Sequence, residues 1–523
     1  MGIRYSTAEL NGFDHVAVSL RARLLSFEPA PFGLRLVLGA AACILTACGG
    51  APPIQSHAVG DIGHIAVRKA EHRGEGVVIG VTQGRSQPQP AKLATALSDR
   101  TGAGLVIAYG FRSKRIPVAQ PLVHMSPVMV GPGDDGQRRG SVYSEFRRLA
   151  QSAVEGPLKF YIGLRSTASK SHPGRIEVAT AGLTFEQINA LKAAFIRIRD
   201  AAAVNSSFLE VEMALNPVDE IAWNVTAVKN HGVLLSAQKG MILRLPPNTA
   251  QHELFYEKVL NEWTAQALIL VMRNPLGLTE MEVQLTPYGR MESIPSRKNI
   301  SSVVIGAPHG SFDRHTAEFA QQLGYRTSIA VVAAKGFSPT EAGGWRINVN
   351  RPTEKLYPRT EPEQERTTDR AREAYERFRS TVLKAAKGPL DLYIDLHQNS
   401  HDDKIDVATL GVSLYEAEAI KKIYNEIRER RLRRWPGVPA VEMAIEPADK
   451  VTFRARVAKE QGILGWAKKS FHFEMPAHRV FHNARARRAY TEILAELIWN
   501  VAATLDRPPT VADSSLSPGH PSP

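Results

Sequence analysis

The sequence predicts an α/β protein built from two tandem units, each a mixed, mostly parallel sheet with helices on both faces. Three observations predict it. The chain has 523 residues, more than one hydrophobic core serves. Short β-branched runs alternate with amphipathic helical patterns along most of its length. Six sequence blocks also recur in the same order in the two halves, the pattern of an internal repeat.

Composition narrows the class. Hydrophobic residues make up 43% and charged residues 22%, which excludes a disordered or collagen-like chain. Cys43 and Cys48 are the only cysteines, too few for a disulfide framework or a cysteine-rich zinc site. The formal net charge of +13 favours anionic surfaces such as membranes and cell-wall polymers. Lys and Arg are scattered and no nucleic-acid motif occurs, so nucleic acid is not an expected partner.

The first element is an export signal. Arg21, Arg23 and Arg35 precede the apolar run Leu36 to Ala47, too short to cross a bilayer as a helix but suited to the apolar region of a secretory signal. Its end, Leu45-Thr46-Ala47-Cys48, resembles the lipobox of bacterial lipoproteins. That resemblance implies that residues 1–47 are removed, that Cys48 is lipidated, and that acyl chains worth roughly 0.8 kcal/mol per buried CH₂ anchor the protein to a membrane. Gly49 stands where inner-membrane lipoproteins often carry aspartate. The expected address is therefore the cell envelope, on the outer membrane facing the periplasm. Residues 48–70 read as a linker.

The repeat follows. Val77-Val78-Ile79-Gly80 returns as Val303-Val304-Ile305-Gly306, and Arg115 to Pro121 returns as Arg346 to Pro352. GPLKFYIGLRS from Gly156 matches GPLDLYIDLHQ from Gly388, and IEVATAGLT from Ile176 matches IDVATLGVS from Ile405. VEMA recurs at Val211 and Val441, and KGMILRLP from Lys239 answers KSFHFEMP from Lys469. These blocks set the units at 71–274 and 298–505, with a connector at 275–297 and a disordered Pro/Ser-rich tail at 506–523. VVIG and LYIDL read as buried strands. Thr368 to Ala386 and Leu414 to Arg430 read as helices with charged outer faces.

The residues with chemical potential follow the strands of the second unit. His309 to Asp313 come after the first strand, Asp395 to His401 come after the central one, and Phe471 to Pro476 read as a third strand that delivers the carboxylate of Glu474. Two imidazoles and a carboxylate leave a fourth zinc position open, as a catalytic rather than a structural site requires. Glu474 suits the proton-transferring carboxylate, and the planar guanidinium of Arg351 suits a substrate carboxylate or an oxyanion. Taken singly, each has a plain structural reading: Asp313 as a helix cap, Asp395 with Arg351 as an ion pair, Glu474 as an edge charge. Comparison of the units changes that balance. Gln83, Gln87, Gln120, Arg165 and Arg244 stand in the first unit where His309, Asp313, Arg351, His397 and Glu474 stand in the second. Scaffold residues such as Gly84 and Gly310, or Tyr161 and Tyr393, are unchanged. The second unit is thus expected to work and the first to be degenerate.

PHGSFDRHT, RINVNRP, DLHQNSH and HFEMP, in that order, resemble the N-formylglutamate amidohydrolase family and, more distantly, the zinc carboxypeptidase and aspartoacylase clan. The resemblance implies two tandem carboxypeptidase-like (phosphorylase/hydrolase-like) domains and one Zn²⁺ per chain, held by His309, Asp313 and His397. It implies Glu474 as general base, with Arg351 also catalytic, and Arg346, Asn350 and Arg351 around a substrate carboxylate. The clan's usual spacing is His-x-x-Glu, whereas here it is His309-x-x-x-Asp313, so His315 and His401 stay open as alternative third ligands. The expected function is an exported, lipid-anchored, zinc-dependent amidohydrolase acting on an N-acyl amino acid or small envelope peptide. The alternative is a non-catalytic lipoprotein that binds anionic cell-wall or peptide ligands.

Overall fold

The computed structural model describes residues 51–505 except 60–62, 73, 85–87, 112–134, 167–173, 204–210, 223–231, 247–252, 299, 340–341, 357–364 and 401–402. The expected signal peptide with Cys43 and Cys48, the tail at 506–523, and Gln87, Gln120 and His401 lie outside the described residues.

The first half contributes β1 (Gln55–Val59), β2 (Gly63–Arg68), β3 (Gly74–Val81), β4 (Ala103–Tyr109), β5 (Phe160–Ser166), β6 (Ile176–Ala181), β7 (Met213–Asn216) and β8 (Lys239–Leu245). The second contributes β9 (Glu282–Thr286), β10 (Gly289–Ile294), β11 (Val303–Ala307) and β12 (Ala330–Gly336). A small antiparallel sheet of β13 (Trp345–Asn348), β14 (Thr353–Leu356) and β15 (Glu365–Thr367) comes next. The half ends with β16 (Leu392–Asn399), β17 (Ile405–Leu410), β18 (Met443–Ile445) and β19 (Lys469–Pro476).

The two large sheets have one topology. The first runs β1-β2-β4-β3-β5-β8-β6-β7 and the second β9-β10-β12-β11-β16-β19-β17-β18. In each, four central strands are parallel and an antiparallel hairpin extends the β4 or β12 side. Those hairpins correct two expectations. Residues 48–70 and 275–297, read as linker and connector, supply β1–β2 and β9–β10. Arg290 and Glu292 of β10 are buried and paired to each other at 2.8 Å.

The strands' alternation decides the layers. Val303 and Ile305 turn toward helices α5 (Thr316–Thr327), α7 (Leu414–Leu432) and α8 (Ala484–Leu505), burying Phe319, Leu323, Tyr424, Tyr490 and Leu494. Val304 turns the other way, onto Tyr375, Phe378 and Val382 of α6 (Asp369–Ala386). The first half repeats this. Val77 and Ile79 face α1 (Pro88–Thr101), α3 (Phe185–Ala203) and α4 (Glu253–Leu268), while Val78 faces α2 (Asp135–Ser152). Helices cover both faces because strands buried on both sides are apolar throughout. Among the described residues no helix is long and apolar enough to cross a membrane.

Neighbouring strand ends bring distant residues together. β11, β16 and β19 lie side by side and parallel, so the loop after β11 ends beside the carboxyl ends of the other two. A crevice outside such strand ends is where open α/β sheets bind ligands.

Candidate metal centre

The loop after β11 folds back at once. The Asp313 amide donates to the His309 carbonyl at 2.7 Å, which brings the two side chains to one side. Asp313 does not cap α5. The N-cap position is His315, at φ 69°, and no side chain caps that end. The Asp313 carboxylate instead turns inward, its Oδ2 lying 3.1 Å from His397 Nδ1 and 3.5 Å from His309 Nδ1. His397 is the sixth residue of β16 and stands opposite Glu474 of β19 in register.

His309, Asp313 and His397 therefore offer three ligand atoms within 4.8 Å of one another. Tetrahedral zinc with bonds of about 2.0–2.2 Å to nitrogen and oxygen sets its ligand atoms roughly 3.4 Å apart. The spacings of 3.1 and 3.5 Å straddle that value, so the residues fit a small divalent cation. All three side chains are buried. Nε2 of His309 is also buried with no hydrogen-bond partner, an arrangement that protein interiors rarely keep without a purpose. His315 belongs to neither group of potential ligands among the described residues.

Asp395 organises the far side of the cluster. Its Oδ2 accepts from His397 Nε2 at 2.9 Å and from His472 Nδ1 at 2.8 Å, and its Oδ1 accepts from the Tyr393 hydroxyl at 3.2 Å. Gly306 of β11 makes room for that hydroxyl, since a Cβ there would collide with it. With Nε2 of His397 committed to Asp395, Nδ1 is left to face Asp313 and His309. A carboxylate that fixes a ligand's tautomer in this way is usual in metal sites. Beyond Asp395, His472 Nε2 meets Glu474 Oε1 at 3.2 Å.

The electrostatics follow from burial and partners. Burial works against a charged His397, but Asp395, Asp313 and Glu474 outweigh it and raise its pKa to about 10. Burial dominates at His309 and lowers its pKa to about 4, against the pull of Asp313. Asp313 and Asp395 are held well below the usual carboxylate range: burial opposes the charge, and the imidazoles on each more than offset it. A metal-free cluster thus keeps a proton on His397, where two carboxylates converge.

The arginine motif is divided. Arg351 makes a two-pronged pair with Glu365, Nε to Oε1 at 2.7 Å and Nη2 to Oε2 at 3.2 Å, so it is not paired with Asp395. Arg346 lies over the Phe312 ring, 4.6 Å from its centroid, and is an electrostatic neighbour of His309. Asn350 is fully buried, and neither its amide oxygen nor its amide nitrogen has a hydrogen-bond partner.

In the first half, Arg165 and Arg244 occupy register-paired positions on β5 and β8, as His397 and Glu474 do on β16 and β19. Arg244 donates to Glu177 at 2.9 Å, and burial with Arg244 beside it lowers the Arg165 pKa. Asp395 and His472 were absent from the expected site, yet the repeat marks both. Their register-paired counterparts are Gly163 and Ile242.

No family model matches the chain, and no curated protein matches it. Several solved structures are similar to part of it. A metallo-carboxypeptidase from Burkholderia cenocepacia is 14% identical over 46% of this chain and 69% of its own, with a TM-score of 0.28. A metallo-carboxypeptidase from Pseudomonas aeruginosa, in complex with (2-guanidinoethylmercapto)succinic acid, is 13% identical over 46% of this chain and 68% of its own, with a TM-score of 0.26. A bacteriophage poly-gamma-glutamate hydrolase is 12% identical over 41% of this chain and 93% of its own, with a TM-score of 0.24.

Proposed function

We propose that the second half is a zinc-dependent amidohydrolase of the N-formylglutamate amidohydrolase kind, cleaving an amide in an N-acyl amino acid or small envelope peptide. The reading includes an origin by tandem duplication, with a degenerate first half. It also includes an exported protein anchored through a lipid on Cys48, facing the periplasm at the outer membrane. The observation that carries the enzymatic part is the convergence of His309, Asp313 and His397 on one point at the strand ends, with Glu474 one strand away.

His309, Asp313 and His397 would hold the ion. Zinc there would supply Lewis acidity, lowering the pKa of water toward roughly 7 and polarising the scissile carbonyl. Glu474 takes one proton from the attacking water as its oxygen bonds to the amide carbon. As the C–N bond breaks, Glu474 returns that proton to the departing nitrogen, releasing an acid and an amine. Arg346 and Asn350 supply donors for a substrate carboxylate. The unpartnered Asn350 amide favours this role, because a buried amide without hydrogen bonds costs about 1–3 kcal/mol until something occupies it. Arg351 and Glu365 hold each other and so fix the wall that carries Asn350.

A second reading rests on Arg165 and Arg244. Two largely buried guanidiniums side by side at the equivalent strand ends, one of them held by Glu177, would suit an anionic ligand in the first half, with or without turnover in the second. Metal content decides between enzyme and binder. The purified chain should carry about one zinc and hydrolyse N-acyl glutamates, and His397→Ala should remove both properties. A wild-type chain that takes up no divalent ion under metal-replete conditions would leave only the binding reading.

A further inference from the structure

We infer that His472 is a positioning residue, which holds the Glu474 carboxylate against the cluster through Asp395. The inference rests on the amidohydrolase reading, in which Glu474 moves the proton. Its basis is geometric. His472 is buried, and its ring lies 4.3 Å from that of His397, centroid to centroid. Nδ1 donates to Asp395 Oδ2 at 2.8 Å, which a carboxylate can only accept, so the ring's orientation is set from that side. Nε2 then faces Glu474 Oε1, 3.2 Å away, and donates to it when both ring nitrogens carry protons. Because Asp395 Oδ2 also accepts from His397, one oxygen registers both the proposed ligand and the proposed base.

The first half supports this independently. Asp395 and His472 face each other across β16 and β19, and the same register on β5 and β8 holds Gly163 and Ile242. A Cβ on Gly163 would sit 2.8 Å from Ile242 Cγ1, so an apolar side chain fills the space of the polar pair. Packing alone is therefore satisfied by an isoleucine facing a glycine. The imidazole is present only where Glu474 and His397 are present.

Two substitutions separate the two ends of the ring. The amide of His472→Asn overlays Nδ1 and keeps the Asp395 contact, whereas that of His472→Gln reaches the place of Nε2. Outer partners of a metal site typically command about 10–100-fold in activity or affinity. His472→Asn should therefore lower kcat by about 10–100-fold with KM little changed, and retain zinc under chelator competition as wild type does. His472→Gln should recover part of kcat. In Glu474→Gln, adding His472→Asn should lower the residual kcat no further, since residues acting as one unit are not additive. The readout without turnover is the pH dependence of Co²⁺ visible absorption, which His472→Asn and Glu474→Gln should shift alike. Equal losses from His472→Asn in both backgrounds, or an unshifted Co²⁺ profile, would overturn the inference and leave the enzyme reading standing. A wild type without bound metal, or a fully active Glu474→Gln, would instead overturn the enzyme reading and this inference with it.

Discussion

His397 and Glu474 are register partners on adjacent parallel strands, and Arg165 and Arg244 hold the same register about 230 residues earlier, in a sheet of identical topology. This relation makes the second half the only place among the described residues where imidazoles and carboxylates gather as a potential metal site. Zinc bound per chain should be about one, and Asp313→Asn should weaken it by at least the roughly 10–100-fold that even outer partners command. His315→Ala should leave affinity unchanged, because His315 lies in neither cluster. Equilibrium competition with a chelator measures both. A larger loss from His315→Ala than from Asp313→Asn would move the third ligand to His315.

Glu474 lies outside the three-ligand group and reaches it through His472 and Asp395. Glu474→Gln should therefore keep zinc and lose about 10²–10⁴-fold in kcat, the usual contribution of a positioned proton-transfer group. Metal analysis and steady-state rates on the same preparation check this. Loss of zinc in parallel with activity would make Glu474 a ligand.

The α/β class and the two-fold repetition are legible in the sequence because apolar strand runs and ordered blocks recur in both halves. His309, Asp313, His397 and Glu474 were legible for another reason: each differs from its counterpart in the other half. Asp395 and His472 differ in the same way, but the residue types alone did not show that one carboxylate oxygen would hold two imidazoles. The hairpins β1–β2 and β9–β10 were hidden by their polarity. In β10, Arg290 and Glu292 are buried because they satisfy each other and the opposite half, information that no local pattern contains.

The charge state of His397 gives the metal-free protein a pH signature. Its pKa rises from 6.5 to about 10 on folding, with Asp395, Asp313 and Glu474 overcoming burial. A raised folded pKa contributes stability that is complete below pH 6.5 and is lost as pH rises through about 10. Urea midpoints of the zinc-stripped chain should therefore fall across that window, and those of His397→Ala should fall less. Equal slopes in the two proteins would show that His397 carries no such proton.

Arg290 joins the halves. Its guanidinium donates to the carbonyls of Leu234 at 3.0 Å, Ala237 at 2.7 Å and Gln238 at 3.0 Å in the first half, and pairs with Glu292 in the second. Glu292 also meets Lys335 at 3.1 Å and accepts from Gln321 at 2.9 Å. Arg290→Met strands three carbonyls and removes one partner of a buried pair, a class of change that costs about 3–5 kcal/mol. Denaturant unfolding should show a loss of that order, with the two halves unfolding in separate transitions. The Glu292 pKa is lowered: burial opposes its charge, but Lys335 and Arg290 prevail. Its contribution is thus present above the unfolded carboxylate pKa and lost as pH falls toward the folded one. Arg290→Met should accordingly be less sensitive to acid than wild type, and a steeper acid dependence in the variant would contradict the pairing.

Restoring one imidazole with Arg165→His supplies a single ligand, opposite Arg244 and with Gly163 and Ile242 where an orienting carboxylate and its partner would be needed. Gln83 and Arg244 remain in the places of His309 and Glu474. One imidazole without a converging carboxylate holds zinc weakly and leaves nothing to move a proton. Arg165→His should therefore add no second equivalent of zinc and no activity in a His397→Ala background, where the second half is silent. Activity gained from that single change would mean that the first half already holds a working site, and that its arginines are part of it.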